Sequence, residues 1–145
     1  MRIERVDLIF VRMPLVSPFE TSNNRVSELD KLLLKVYTPE GGVYSECTAD
    51  PRPFYSYETV GTAALMLKEV LLPEILDKNL EGPATYVKMT GRFRGHRMAK
   101  ATVENALWLL LALEQGKPLA ALLGGEKQRI AAGVSIGIQD TTEDL

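Results

Sequence analysis

The run from His96 to Gln115 contains neither glycine nor proline, and every residue from Ala106 to Leu113 is apolar. An uninterrupted stretch of that length is too long for an ordinary strand and reads as a helix, with an apolar belt too wide for one stripe and so covered on most sides. Gly116, with Pro118 two residues on, supplies the stop: glycine tolerates a left-handed cap and proline cannot continue the ladder. A short apolar piece, Leu119 to Leu123, then ends at Gly124-Gly125. Whatever else the chain builds has to pack around this helix.

With 145 residues, 46% of them apolar and 25% charged, the chain can bury one core without a disulfide or a structural metal. A net charge of -2 gives no electrostatic reason to expect nucleic acid or a membrane surface as partner. The single cysteine, Cys47, reads as a buried thiol and fits a reducing cytoplasm. The N-terminus alternates apolar and polar residues where a signal peptide would be continuously apolar, and Ala106 to Leu113 falls short of the roughly 20 residues of a membrane span.

Taken in order, residues 2–13 read as a strand, and 14–24, with Pro14, Pro18 and a Ser/Thr/Asn cluster, as a loop carrying an exposed aromatic, Phe19. Leu29 to Tyr37 predicts a second strand, with Leu32-Leu33-Leu34 buried on both faces. A turn at Pro39 to Gly42 returns Val43 to Thr48 as a third, completing an antiparallel meander. A second Pro-bounded loop, Asp50 to Tyr55, leads into a helix with Val60, Ala64, Leu67 and Leu71 on one face, running to about Leu76 with Pro73 near its last turn. Glu81-Gly82-Pro83 opens a shorter helix before the long one. Beyond Gly125, the stretch Ile130 to Ile138 reads as a buried strand. Asp140 with Glu143, or Thr141 with Asp144, has capping-box spacing. A helix start so close to Leu145 leads to the expectation of a chain cut inside a strand-to-helix unit.

Common catalytic signatures are absent: there is no phosphate-binding glycine loop, no C-x-x-C, no H-E-x-x-H and no G-x-S-x-G. His96 is the only histidine and reads as structural. Glu28, Glu46 and Asp50 have no spacing that selects a catalytic pair. The cluster Arg92, Arg94, His96, Arg97 and Lys100 sits at a helix N-terminus, where positive charge opposes the dipole. Two readings stay open for it: a solvated or carboxylate-paired face, or an anion site using Gly95 and the free N–H groups of the helix start.

Five segments together carry a family resemblance: M-P-L-V-S-P-F-E-T-S (13–22), Y-S-E-C (44–47), F-R-G-H-R-M-A-K-A (93–101), G-K-P-L-A-A-L-L-G-G (116–125) and G-V-S-I-G-I (133–138). In register over essentially the whole chain, they resemble the N-terminal part of the enolase superfamily. Within its muconate-lactonising branch they look most like the o-succinylbenzoate synthase / N-acylamino acid racemase group. The resemblance implies an α+β capping domain over residues 1–125, a three-stranded meander followed by a helical bundle, with 126–145 as the first strand and helix start of a truncated (β/α) barrel. Such barrels occupy roughly 250 residues. It further implies an enzyme that abstracts a proton α to a carboxylate and passes through an enediolate, using Mg2+ and lysines carried by barrel strands, so that no catalytic residue and no metal ligand lies in this chain. The substrate implied is a small carboxylate, and the full-length protein a cytoplasmic homo-oligomer.

By the same resemblance, the loops around Phe19 and around Asp50 to Tyr55 fold over the barrel mouth, and Ser135 faces the substrate; Phe19, Tyr55 and Ser135 are therefore the expected substrate contacts. Asn23-Asn24, Ser45, Leu109 and the charges of Asp50-Pro51-Arg52 depart from the group's usual residues. A dipeptide epimerase or cycloisomerase is the alternative within the superfamily. From another class, the alternative is a free-standing module that binds an anionic partner through Arg92 to Lys100.

Overall fold

The computed structural model describes residues 1–21, 24–139 and 141–143. Three antiparallel strands, β1 (Arg5–Glu20), β2 (Arg25–Thr38) and β3 (Gly41–Cys47), form a meander in that spatial order. In β2 the period-2 alternation puts Leu32, Leu34 and Val36 on one buried face. Opposite them on β3 stand Cys47, Ser45 and Val43. Leu33 lies on the other face beside Ile9 and is only half-buried, so the three consecutive leucines do not mark burial on both sides. That outer face is instead polar and aromatic. The Tyr37 hydroxyl donates to Asp7 at 2.9 Å, and the Arg5 guanidinium lies 3.9 Å from the Tyr37 ring centroid.

Helices cover the other face. α1 (Val60–Met66) starts at a reciprocal capping box between Thr59 and Thr62. It continues into a single π-helical stretch, Leu67–Leu71, and a 3-10 turn, Leu72–Glu74, in place of the one regular helix that the periodicity predicts. Pro73 is the physical reason: its ring would strike the carbonyl of Glu69 in a regular helix, and the wider turn, in which the Leu72 N–H reaches back to the Leu67 carbonyl, makes room for it. α2 (Pro83–Thr90) begins, as expected, with proline at its first position. α3 (Arg97–Gln115) packs Ala99, Val103, Ala106, Leu107 and Leu110 into the core shared with the sheet. It ends at Gly116 (φ 61), where Lys117 N–H bonds the Ala112 carbonyl at 3.0 Å and Gly116 N–H that of Leu113 at 3.1 Å. A last turn, α4, covers Leu119–Leu122. Tyr86 of α2 is buried against α3. Burial pushes its hydroxyl's pKa up, so it stays protonated and donates to the Lys100 carbonyl at 3.3 Å.

Two further expectations differ from what the structure shows. Residues 14–20 are not a loop, because β1 continues through them to Glu20 and β2 begins at Arg25, with a register shift between Pro14 and Phe19. Proline is admissible here because β1 is an edge strand and its missing N–H costs the ladder nothing on the open side. Ile130 to Ile138 forms no ladder. Ile130, Val134 and Ile136 are 78%, 89% and 64% exposed, since among the described residues no strand pairs with the segment. The proposed caps on Asp140 and Asp144, and the departure at Asn23, lie outside the described residues.

Candidate functional site

Two exposed segments meet at the end of the sheet away from the β2–β3 turn. One is a hairpin arm, residues 13–20 of β1 and 25–29 of β2 with Thr21 and Asn24 at their ends, largely solvent-exposed and carrying Phe19 opposite Val26. At its root Arg12 grips Asp30 through two bonds of 2.6 and 3.1 Å. This pairing holds the Asp30 carboxyl below its ordinary value, so the bridge persists through neutral pH and is lost only as pH falls past that lowered value. The other is the loop between Asp50 and Glu58, which presents Phe54, Tyr55 and Tyr57 at 80%, 87% and 67% exposure. Three exposed aromatics on one short loop are an apolar surface that water solvates poorly. An open groove of about 490 Å³ separates arm root from loop base, lined by Phe10, Val11, Lys31, Pro51 and Val60 among others.

The loop is closed at its neck by Val60 N–H to the Asp50 carbonyl, 2.9 Å. Its far end is anchored by Glu58, only 2% exposed, whose two carboxylate oxygens accept the backbone N–H groups of Met98 at 3.0 Å and Ala99 at 3.1 Å. Those are two of the four donors left without a partner inside the first turn of α3. A carboxylate there also opposes the dipole with the correct sign. Glu58 therefore takes two of the N–H groups on which an anion site at this helix start would draw. The basic cluster divides accordingly: Arg92 pairs with Glu74 at 2.6 Å, Lys100 donates to the Phe93 carbonyl, and among the described residues Arg94 and Arg97 are exposed with no ion pair.

The turn into α3 uses two consecutive left-handed residues, Gly95 (φ 68) and His96 (φ 52). A Cβ on Gly95 would stand 3.2 Å from the Tyr57 hydroxyl, so this turn packs directly on the aromatic loop. Gly95→Ala is expected to lower stability by about 1–2 kcal/mol, from the left-handed backbone and the lost clearance together. In a Tyr57→Phe background the penalty should shrink toward the backbone cost alone, about 1 kcal/mol, which thermal unfolding of the four proteins would measure.

Of the three residues expected to contact substrate, the structure puts Phe19 and Tyr55 on the two segments flanking one groove. Ser135 is exposed in the unpaired 130–138 segment, and among the described residues no hydrogen bond joins it to either. Glu28 and Glu46 are exposed on separate strands and Asp50 is bonded to Lys31, so these three do not converge. Sequence reasoning missed Glu58. Its only local signal is position, an acid beside the Thr59 cap, and its partners lie 40 and 41 residues away. Among the described residues no group of three His, Cys, Asp or Glu is placed to hold a metal ion, and no helix is long and apolar enough to cross a membrane. Asp30, Asp50, Glu58 and Glu74 are each engaged, with Arg12, Lys31, two backbone N–H groups and Arg92 respectively.

The model of the mandelate racemase / muconate lactonizing enzyme N-terminal domain matches residues 5–124. The o-succinylbenzoate synthase of Geobacillus kaustophilus is 41% identical over 144 residues, 99% of this chain and 38% of that protein. The N-succinylamino acid racemase of Thermus thermophilus is 38% identical over 144 residues, 99% of this chain and 39% of that protein. A solved enolase-superfamily structure from Listeria innocua superposes with a TM-score of 0.89 at 34% identity, covering 99% of this chain and 39% of the other. The chain thus spans about two-fifths of the length of the relatives it matches.

Proposed function

Because this chain belongs to the mandelate racemase / muconate lactonizing enzyme family of the enolase superfamily, we propose that it is the capping part of an o-succinylbenzoate synthase or N-acylamino acid racemase. In this reading residues 1–125 are the cap and 126–145 open a (β/α) barrel. The observation that carries it is the match of nearly the whole chain, at similar identity, to one enzyme named for each activity. The reaction proposed for the whole protein is removal of a proton α to a carboxylate, followed by loss of water or by return of the proton on the opposite face. Mg2+ and the acid/base groups would come from outside this chain, as the resemblance implies. We place the protein in the cytoplasm, as a homo-oligomer, on the resemblance alone.

The residues described here do different work. Phe19 on the arm and Tyr55 on the loop close over a bound carboxylate and exclude water, which strengthens every charge interaction beneath them. Ser135 offers a hydroxyl from the first barrel strand once that strand has partners. The first test is an assay of the full-length protein for formation of o-succinylbenzoate and for racemisation of an N-succinylamino acid, with and without a chelator. Activity that is lost to chelator and restored by Mg2+ is expected; a folded protein with neither activity would sink the reading. In an active protein, Phe19→Ala and Tyr55→Ala should each lower kcat/KM by roughly ten- to a hundredfold, mostly through KM, and leave the unfolding midpoint unchanged.

A further inference from the structure

Lys31 sits on β2 opposite Val11, at the point where the buried part of the sheet gives way to the exposed arm. Its side chain is only 14% exposed, yet it ends in an ammonium group, whose ion-pair partner among the described residues is Asp50, with Nζ 3.3 Å from Oδ1. Asp50 in turn is the first residue of the aromatic loop. Its backbone holds the neck shut through the bridge to Thr59 and the bond from Val60 N–H. The stem of Lys31 is mostly buried while its ammonium meets the half-exposed Asp50 carboxylate, so the packed stem fixes where the charged head lies and the ion pair holds the strand and the neck of the loop in one position. The far end of the loop is pinned separately to α3 by Glu58. The loop therefore has one end fixed to the helical core and the other fixed to the root of the arm.

We propose that Lys31 is a positioning residue: through Asp50 it ties the Phe19 arm to the Phe54–Tyr57 loop, so that the two exposed segments move as one body. This goes beyond the enzymatic reading and stands without it, because the coupling concerns the position of two backbone segments whatever lies beneath them. If the enzymatic reading holds, its consequence is that the two segments open and close on a substrate together.

The test is amide hydrogen exchange on the intact protein that contains this chain, comparing wild type, Lys31→Met, Asp50→Asn and the double variant. Rates are referred to the amides of α3 between Val103 and Leu110, so that global destabilisation is divided out. Methionine keeps the apolar stem of Lys31, and asparagine keeps the shape of Asp50. Each single variant is expected to speed exchange in both residues 13–21 and residues 51–60 by roughly three- to tenfold, and the double variant to do no more than the larger single one. Changes confined to the mutated segment, or additive in the double variant, would overturn the coupling. Because the readout is exchange and not turnover, that outcome leaves the enzymatic reading untouched, and an inactive protein with coupled exchange leaves this proposal standing.

Discussion

Glu58→Ala is expected to lower the unfolding free energy by about 3 kcal/mol, a larger effect than that of most surface or loop substitutions. The carboxylate is 2% exposed and accepts two backbone donors, from Met98 and Ala99. Removing it leaves two N–H groups at the start of α3 without an acceptor, each costing about 1–3 kcal/mol if water cannot reach it. It also removes the negative charge that the helix start favours, among Arg94, Arg97 and Lys100. Glu58→Gln keeps one carbonyl oxygen but turns an amide NH2 toward the second donor, so roughly half the loss is expected. Urea unfolding at constant slope would measure both variants. A Glu58→Ala protein within about 0.5 kcal/mol of wild type would mean that water replaces the carboxylate and that the anchor is not structural.

Leu107→Ala is the second large effect, with an expected loss of about 3 kcal/mol; Leu113→Ala should cost under about 1 kcal/mol in the same chain. Both leucines belong to one unbroken apolar run on one helix, and by sequence pattern they are equivalent. In the structure Leu107 is 0% exposed between sheet and helices, where truncation removes contacts and leaves a cavity. Leu113 is 49% exposed on the rim of an open groove with Val43, Tyr44 and Leu109. Equal losses would show that the groove is filled in solution, and a negligible loss at Leu107 would contradict the core described here. Chemical denaturation of the two variants side by side decides it.

The same contrast explains how much could be read from the residues in order. Helix α3 and its Gly116 stop, the proline start of α2 and the turn between β2 and β3 depend on interactions within a few residues, so spacing and residue type expose them. The family resemblance rested on short segments of the same kind and was borne out by the match over residues 5–124. Reading residues 14–20 as loop failed because prolines were weighed without knowing that their strand is at an edge. Ile130 to Ile138 is unpaired in this chain for a different reason, since a β-branched run becomes a strand only when another backbone accepts its hydrogen bonds.

Sequence alone determined where α2 and α3 coil, where β2 and β3 extend and where glycine or proline bounds them, because backbone sterics and side-chain periodicity act over one or two turns. Tertiary structure decided where the charges go. The partners of Glu58 and Lys31 lie 19 to 41 residues away along the chain, and no local rule selects them. A buried carboxylate must find a partner somewhere in the folded molecule, and only the packing of sheet against helices brings α3's open N–H groups to Glu58 and the neck of the aromatic loop to Lys31.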